Sequence, residues 1–302
     1  MMKKGKGEDI PWAESKPGNP TMVMLYHHSE KQVEEMDFET YLLGVVAAEM
    51  PVSYEMEALK AQAVAARTYA LMKMESGGCG REGAHVCTDY AHCQAYNTLA
   101  ERQKKWGKSF DENEGRLKEA VESTAGEVLT YEGKPIAAFF HAIAGGQTED
   151  VQNVWGGNLP YLKSVESMGE EEATRYNRTV AYTYKEYTDI LKAVNKNVAI
   201  SDVQKSIGAI QRTDSGRVDT IALGGVSFKG TEIRTLFSLD SANFTISATD
   251  GKVYFTTLGY GHGVGMSQVG ANAMAKDGKN YQEILLHYYS GVSLEKMQNI
   301  LP

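Results

Sequence analysis

The sequence is poor in three features that would each define a class of protein: cysteine, long apolar runs and positive charge. Three cysteines occur in 302 residues, all between positions 79 and 93, which excludes a disulfide framework spread along the chain. There is no run of about 18 apolar residues, so we predict no membrane-spanning helix and no signal-peptide core. Lys and Arg number 31 against 39 Asp and Glu, and the net charge of −8 argues against a general nucleic-acid binder.

The rest of the composition is that of an ordinary globular protein, with 42% hydrophobic and 23% charged residues. Helical and alternating apolar patterns both occur, which predicts the α+β class. We expect a helical segment near the N-terminus packed on a mixed or antiparallel β core, with an inserted α/β subdomain at about 169–250. Residues 1–21 are expected to be a flexible remnant, and residues 22–302 a single domain.

Individual elements follow from apolar spacing and turn signals. Helices are predicted in "MDFETYLLGVVAAEM", "EMEALKAQAVAARTYALMKM", 114–124, "YKEYTDILKAV" and "NYQEILLHYYS". Strands are predicted at the start of "MVMLYHHSEKQVEEM", in "RVDTIALGG" and in "NFTISATD". The segment "GEVLTYEGKPIAAFFHA" has a turn signal at Glu132-Gly133, which indicates a hairpin.

A single carboxylate, Glu49, interrupts the apolar run "GVVAAEMP" just before Pro51, which stops the helix. Spacings of three and four place it on the same helix face as Tyr41, Leu42, Val45 and Val46. A carboxyl group on an apolar face is desolvated, which raises its pKa and suits it to act as a general acid near neutral pH. Position alone favours the alternative, a solvated carboxylate at a helix end.

Cysteine and histidine are concentrated in a loop at 77–96, which contains "CGREGAHVCTDYAHCQAY". Thiolate and imidazole are ligand types that zinc prefers, although the loop has no standard zinc-finger spacing. The alternative is a short disulfide with one free thiol. The candidate ligands span fifteen residues and are Cys79, His85, Cys87, His92 and Cys93.

Three blocks, in this order, resemble the stage II sporulation protein D family of peptidoglycan lytic transglycosylases, which includes amidase-enhancer relatives. They are "YLLGVVAAEMPVSYEMEALKAQAVAARTYAL", "GGQTEDVQNVWGGNLPYLKSV" and "GYGHGVGMSQVGANAMAKDGKNYQEIL". The resemblance runs from about residue 36 to about residue 296. It implies cleavage of glycan strands between N-acetylmuramic acid and N-acetylglucosamine, with 1,6-anhydro products, during engulfment in sporulation.

The resemblance also assigns residues. Glu49 matches the family's catalytic glutamate, and Lys60 and Arg67 match basic positions that we assign to substrate contact in the same cleft. The segment "CTDYAHCQAY" resembles clostridial members of the family, which favours Cys87, His92 and Cys93 as zinc ligands, completed by Cys79 or His85. Because this loop follows the helix that carries the basic pair, we expect the zinc to be structural.

Two glycine-rich loops complete the predicted site, because glycine lets backbone approach a ligand closely. The family usually has "HSTSGG" where this chain reads "HAIAGG", so two hydroxyl groups are missing from the first loop. We assign substrate binding in these loops to His141, Gly145, Gly146, His262 and Gln268. Stacking on sugar and packing in the core are alternatives for Trp155, Tyr161 and Tyr260.

Two other functions stay open: a non-catalytic, peptidoglycan-binding activator of a cell-wall amidase, and a zinc hydrolase. The expected partners are glycan strands, a cell-wall amidase and other engulfment membrane proteins, with no nucleic acid. The resemblance further implies an extracytoplasmic location and a membrane anchor in the full-length protein, which this chain lacks.

Overall fold

The computed structural model describes residues 22–300, whose helices and small sheets confirm the α+β class. The prediction for residues 1–21 lies outside the described residues. The helices are α1 (Phe38–Glu49), α2 (Met56–Glu75), α3 (Leu99–Trp106), α4 (Phe110–Ser123), α5 (Val151–Val154), α6 (Tyr184–Val194), α7 (Val203–Ser206), α8 (Gly230–Leu236), α9 (Gln268–Lys276) and α10 (Tyr281–Tyr288).

The strands are β1 (Met22–His27), β2 (Gln32–Asp37), β3 (Val86–Cys87), β4 (Glu127–Tyr131), β5 (Lys134–Pro135), β6 (Phe140–His141), β7 (Gly146–Gln147), β8 (Glu166–Ser167), β9 (Asn177–Thr183), β10 (Ile207–Arg212), β11 (Val218–Leu223), β12 (Val226–Lys229), β13 (Phe244–Thr249), β14 (Lys252–Leu258), β15 (Met266–Ser267) and β16 (Ser293–Lys296). They pair in the orders β2-β1-β3, β16-β4-β5, β13-β14-β9, β10-β11-β12, β15-β6 and β7-β8. Pairing is antiparallel except for β1 with β3 and β6 with β15, which are parallel.

Helix α1 begins and ends where its sequence requires. The Asp37 side chain accepts a hydrogen bond from the Thr40 N–H at 2.7 Å and caps the helix. Extended backbone at Met50, before Pro51, ends it. The helix is buried on nearly every side, so the expectation of one apolar stripe is wrong. Glu49 is instead the last, partly buried residue of a mostly buried helix.

Helix α2 lies at the centre of the larger core, against α1, α4, α9, α10 and β4. The small side chains of its alanines let the neighbouring helices approach closely. The fully buried alanines of this helix are Ala58, Ala61, Ala63, Ala65, Ala66 and Ala70.

A second hydrophobic core lies in the segment 177–258, which overlaps the predicted insertion. Two three-stranded antiparallel sheets enclose it together with α6 and α8. Its centre is a cluster of packed aromatic rings, with the Phe237 and Phe255 centroids 4.7 Å apart. The segment therefore has its own apolar interior beside the larger core.

The predicted helices and strands are all present, within a few residues of the expected ends. The Glu132-Gly133 turn is confirmed, with φ of 52° and 74° at the two residues, as a type I′ hairpin turn requires. Many elements were not predicted, among them strands β2 and β9 and helices α3 and α9. Within residues 22–300, no helix combines the length and apolar character needed to cross a membrane.

Candidate functional site

A cleft of about 490 Å³ opens where α1 ends. Its walls come from the 90–95 loop, β6, the 260–262 loop, α8 and the start of α9. The predicted site residues that the structure brings together in it are Glu49, Cys93, His141, His262 and Gln268. Side chains from opposite ends of the sequence thus meet in one concave surface.

Glu49 points into this cleft from the C-terminal end of α1. Its Oε1 accepts a hydrogen bond of 2.6 Å from the Ala95 N–H. Burial raises the pKa of Glu49 to about 6, although the Ala95 N–H and the Gln268 amide favour the ionised form. At pH 7 about one tenth of a carboxyl group with that pKa is protonated, enough for a general acid to act.

Two histidines face Glu49 across the cleft, and one residue orients both. The Val264 carbonyl accepts a hydrogen bond from His141 Nδ1 at 3.2 Å, and the Val264 N–H donates to His262 Nδ1 at 3.1 Å. Burial holds the pKa of His141 well below its usual range and lowers the pKa of His262 to about 3. Both imidazoles are therefore neutral, and they suit hydrogen bonding rather than acid catalysis.

Gln268 lies beside Glu49 at the first turn of α9. The Ser267 hydroxyl caps this helix by accepting from the Gly270 N–H at 3.2 Å. The Gln268 amide also donates to Gln62 Oε1 of α2 at 3.3 Å. The capped helix start and the contact with α2 fix the amide next to the carboxyl group.

Gly145 and Gly146 do not line the cleft, which corrects their assignment to substrate binding. Their N–H groups donate to the buried carboxylate of Glu170, at 2.8 and 3.4 Å. The Ser167 and Ser267 hydroxyls donate to the same carboxylate. The Glu170 carboxylate thus accepts the backbone N–H groups with which this loop could bind an anion, and it connects the loop to the start of α9.

Lys60 and Arg67 are also absent from the cleft, so their predicted location is wrong. Arg67 is fully buried, and its guanidinium donates to Glu39 at 2.7 and 3.0 Å. Lys60 pairs with Glu57 at 2.7 Å on the same helix. Periodicity placed the two basic residues on one face of α2, but that face is covered by other helices.

A cluster of potential metal ligands lies behind the part of the cleft wall that Cys93 forms. The ligand atoms are within 4.8 Å of one another and belong to Cys79, Cys87, His92 and Cys93. The sulfur atoms of Cys87 and Cys93 lie 3.3 and 3.5 Å from His92 Nδ1. The bend needed at adjacent His92 and Cys93 comes from a turn in which both N–H groups donate to the Asp89 carbonyl. His85 lies elsewhere, since its Nδ1 accepts from the Met24 N–H.

The donor set fits a tetrahedral zinc ion. Zinc–sulfur distances of about 2.3 Å place neighbouring ligands about 3.8 Å apart, close to the spacing seen here. Hydrogen bonding from Cys93 lowers the pKa of Cys87 to about 5, so one thiolate is available to a cation. Four protein ligands from a short loop are typical of structural rather than hydrolytic zinc.

A second cavity of about 660 Å³ adjoins the first and shares Arg234 and His262 with it. Trp155 lines this cavity half exposed, with its ring 4.9 Å from His262. Tyr260 lines the Glu49 cleft beneath the Arg175 guanidinium, whereas Tyr161 packs against Tyr131. Trp155 and Tyr260 thus lie in the groove formed by the two cavities.

Arg234 is the main residue of the groove that sequence reasoning missed. It lies on α8 in the segment of the second core, outside the three blocks that carry the family resemblance. The segment that contains it, "GTEIRTLF", is short, and the spacing of its polar residues does not indicate a functional site. Only the tertiary packing of the second core beside the first brings it to the cleft.

Comparison with known proteins agrees with this arrangement. The family profile described as "Stage II sporulation protein" matches residues 26–131. The chain is 39% identical to Stage II sporulation protein D of Bacillus amyloliquefaciens, over 94% of this chain and 81% of that protein. It is 37% identical to the protein of that name from Bacillus subtilis (strain 168), over 96% and 83%.

A further relative is the Amidase enhancer of Bacillus subtilis (strain 168), 30% identical over 84% of this chain but only 40% of that protein. The residues that the family profile matches include α1, which ends at Glu49 in the cleft. The chain belongs to the stage II sporulation protein D family.

Proposed function

We propose that this protein is a peptidoglycan lytic transglycosylase that cleaves the bond between N-acetylmuramic acid and N-acetylglucosamine. One observation carries the proposal: among the described residues that line the cleft, Glu49 is the only carboxylate. A glycosidase that uses water needs two carboxylates, one on each side of the bond. A lytic transglycosylase needs one, because the substrate supplies its own nucleophile.

Glu49 acts first as the acid. Its carboxyl proton passes to the glycosidic oxygen, the bond from that oxygen to C1 of the muramic acid breaks, and positive charge develops at C1. The raised pKa keeps this proton available near neutral pH. Substrate that fills the cleft excludes more water and raises the pKa of Glu49 further.

Glu49 then acts as the base. The carboxylate takes the proton of the C6 hydroxyl of the same sugar, and the C6 oxygen bonds to C1 to close a 1,6-anhydro ring. Glu49 ends the cycle protonated, and no water is consumed. The neutral imidazoles of His141 and His262 and the Gln268 amide are placed to hydrogen-bond the sugar during both steps.

The groove suits a linear polymer, because two adjoining cavities follow one another past His262. Trp155 presents an aromatic face in the second cavity, where a sugar ring could stack. Glycan strands of peptidoglycan are therefore the proposed partner, which places the protein outside the cytoplasm during sporulation. The relatives named for stage II sporulation support this setting.

Zinc is the proposed cofactor, held by Cys79, Cys87, His92 and Cys93. The ion would supply folding energy to the 77–96 loop. That loop provides the Ala95 N–H that bonds Glu49, so an ordered loop fixes the orientation of the carboxyl group.

Replacement of Glu49 with Gln tests the proposal. The amide keeps the size of the side chain and removes the transferable proton, so cleavage of purified glycan strands should fall about 10²–10⁴-fold while binding persists. Glu119→Gln, an exposed change on α4, is the matched control and should cleave normally. Cleavage by the Glu49 variant at the wild-type rate would exclude Glu49 as the catalyst.

The relative named Amidase enhancer favours a second candidate, a non-catalytic activator of a cell-wall amidase. That function predicts stimulation of an added amidase that survives the Glu49→Gln change. Stimulation that requires Glu49 would instead follow from glycan cleavage.

A further inference from the structure

Arg234 stands where the two cavities meet, and it lines both. In the part of the chain that the structure describes, its guanidinium has no ion pair and no hydrogen bond, unlike the buried Arg67 and Arg102. Burial lowers the pKa of Arg234, which shows that its surroundings do not compensate for the water it has lost. A planar cation with five donors is thus left facing the groove.

Glu232 lines the second cavity together with Arg234, but the acidic groups near Arg234 accept hydrogen bonds from other donors. Asp240 accepts from both Arg175 and Arg178. Glu232 is an exposed residue whose carboxylate caps the start of α8 by accepting from the Lys229 N–H. No carboxylate of the described residues therefore neutralises Arg234, although a half-buried guanidinium gains from an anionic partner.

A second observation points to the same place. His141 is almost completely buried, and its Nε2 has no hydrogen-bond partner among residues 22–300. Because Nδ1 donates to the Val264 carbonyl, Nε2 is an unpaired acceptor on a residue that lines the same cleft as Arg234. An unpaired donor fork and an unpaired acceptor on one cleft are typical of a site that binds a polar ligand.

We infer that Arg234 binds a carboxylate group of the glycan substrate where the two cavities meet, an inference that rests on the proposed function. Muramic acid carries a lactyl carboxylate once its stem peptide is removed, whereas N-acetylglucosamine has none. The planar guanidinium matches a carboxylate in two parallel hydrogen bonds. Arg234 thereby takes the role that the sequence assigned to Lys60 and Arg67, and it makes the groove selective for muramic acid.

Binding measured in the Glu49→Gln background tests this without cleavage. The ligands are denuded glycan strands, the same strands with the lactyl carboxyl amidated, and N-acetylglucosamine oligomers. Arg234→Gln should weaken binding of the denuded strands about tenfold to a hundredfold and change binding of the other two less than twofold. The affinity of Arg234→Lys for denuded strands should lie between those of its parent and Arg234→Gln, since lysine keeps the charge but loses the planar pair of donors. Lys205→Gln, on exposed α7, is the control for net charge and should bind like its parent.

Amidation of the ligand gives a second route that leaves Arg234 in place. Loss of affinity on amidation supports the inference, and equal affinity for amidated and native strands contradicts it. Strands that keep their stem peptides separate the two sources of carboxylate. If strands with stem peptides bind more weakly than denuded strands, the carboxylate bound by Arg234 is the lactyl group. If they bind more tightly, it is a carboxylate of the peptide. Carboxylate-dependent binding by a wild-type protein that cleaves nothing would contradict the proposed reaction alone.

Discussion

The Glu49 carboxyl group binds its proton more tightly in the folded chain than in the unfolded chain, since burial raises its pKa from 4.5 to about 6. Its contribution to folding is therefore complete below pH 4.5 and is lost as the pH rises through 6. At neutral pH the ionised group is held in a cleft that disfavours its charge. The property that suits Glu49 to donate a proton thus lowers the stability of the fold.

Glu49→Gln should accordingly stabilise the protein at pH 7.5, because the neutral amide still accepts the hydrogen bond from Ala95. We expect an increase on the order of 1 kcal/mol in the free energy of unfolding, reduced by the partial exposure of the site. The increase should vanish at pH 4. Urea unfolding at the two pH values measures it, with Glu119→Gln as control. A variant less stable than wild type at pH 7.5 would contradict the assigned pKa.

Arg67 stabilises the fold, although its position in the first family block suggested a role in substrate contact. Arg67→Ala removes the hydrogen bonds that the guanidinium donates to Glu39 and to the carbonyls of Val121 and Glu127. We expect the free energy of unfolding to fall by about 3–5 kcal/mol. Lys60→Ala, which breaks only a pair with Glu57 on the helix surface, should change it by about 0.5 kcal/mol or less. Urea unfolding distinguishes the two, and an inactive Arg67→Ala variant of full stability would restore the substrate-contact role.

At the scale of elements, the 77–96 loop connects metal binding to the cleft. We expect about one zinc per chain in protein purified without added metal. Cys79→Ser should lower the metal content and the melting temperature, because it removes one of the four clustered ligands. His85→Gln is the matched control and should retain the metal. Elemental analysis decides: zinc kept by Cys79→Ser, or a disulfide among the three cysteines, would contradict the site.

The elements that could be predicted from sequence are those with local signals. The Asp37 cap, the stop at Pro51 and the Glu132-Gly133 turn each act within a few residues. Helix α9 was missed because its one glycine and three alanines carry no strong period, and the Ser267 cap that starts it is part of a glycine-rich segment. Strand β9 was missed because its partner β14 lies about 75 residues later along the chain.

At the scale of the whole molecule, the groove exists because the second core packs beside the first. Glu49, His262 and Gln268 could be identified from sequence because the family blocks carry them, and His141 because it begins the segment that resembles the family's "HSTSGG"; the cleft unites all four. Arg234 could not, because its role depends on where the insertion places α8. Gly145, Gly146 and Arg67 were misassigned for the same reason, since buried Glu170 and partly buried Glu39 accept the hydrogen bonds of their donors. Sequence shows which residues are available, and packing decides which of them remain free for a ligand.

The most direct test of the central claim is the mass of the glycan ends that the wild-type protein produces. Because the C6 hydroxyl closes the ring on C1, each new muramic acid end should be a 1,6-anhydro sugar, lighter by one water than a reducing end. Mass spectrometry of denuded strands digested by the wild-type protein should show only anhydro ends. The Glu49→Gln variant is the control and should not produce them. Ordinary reducing ends would show that water is the nucleophile, and a cleft with Glu49 as its single carboxylate would no longer account for the reaction.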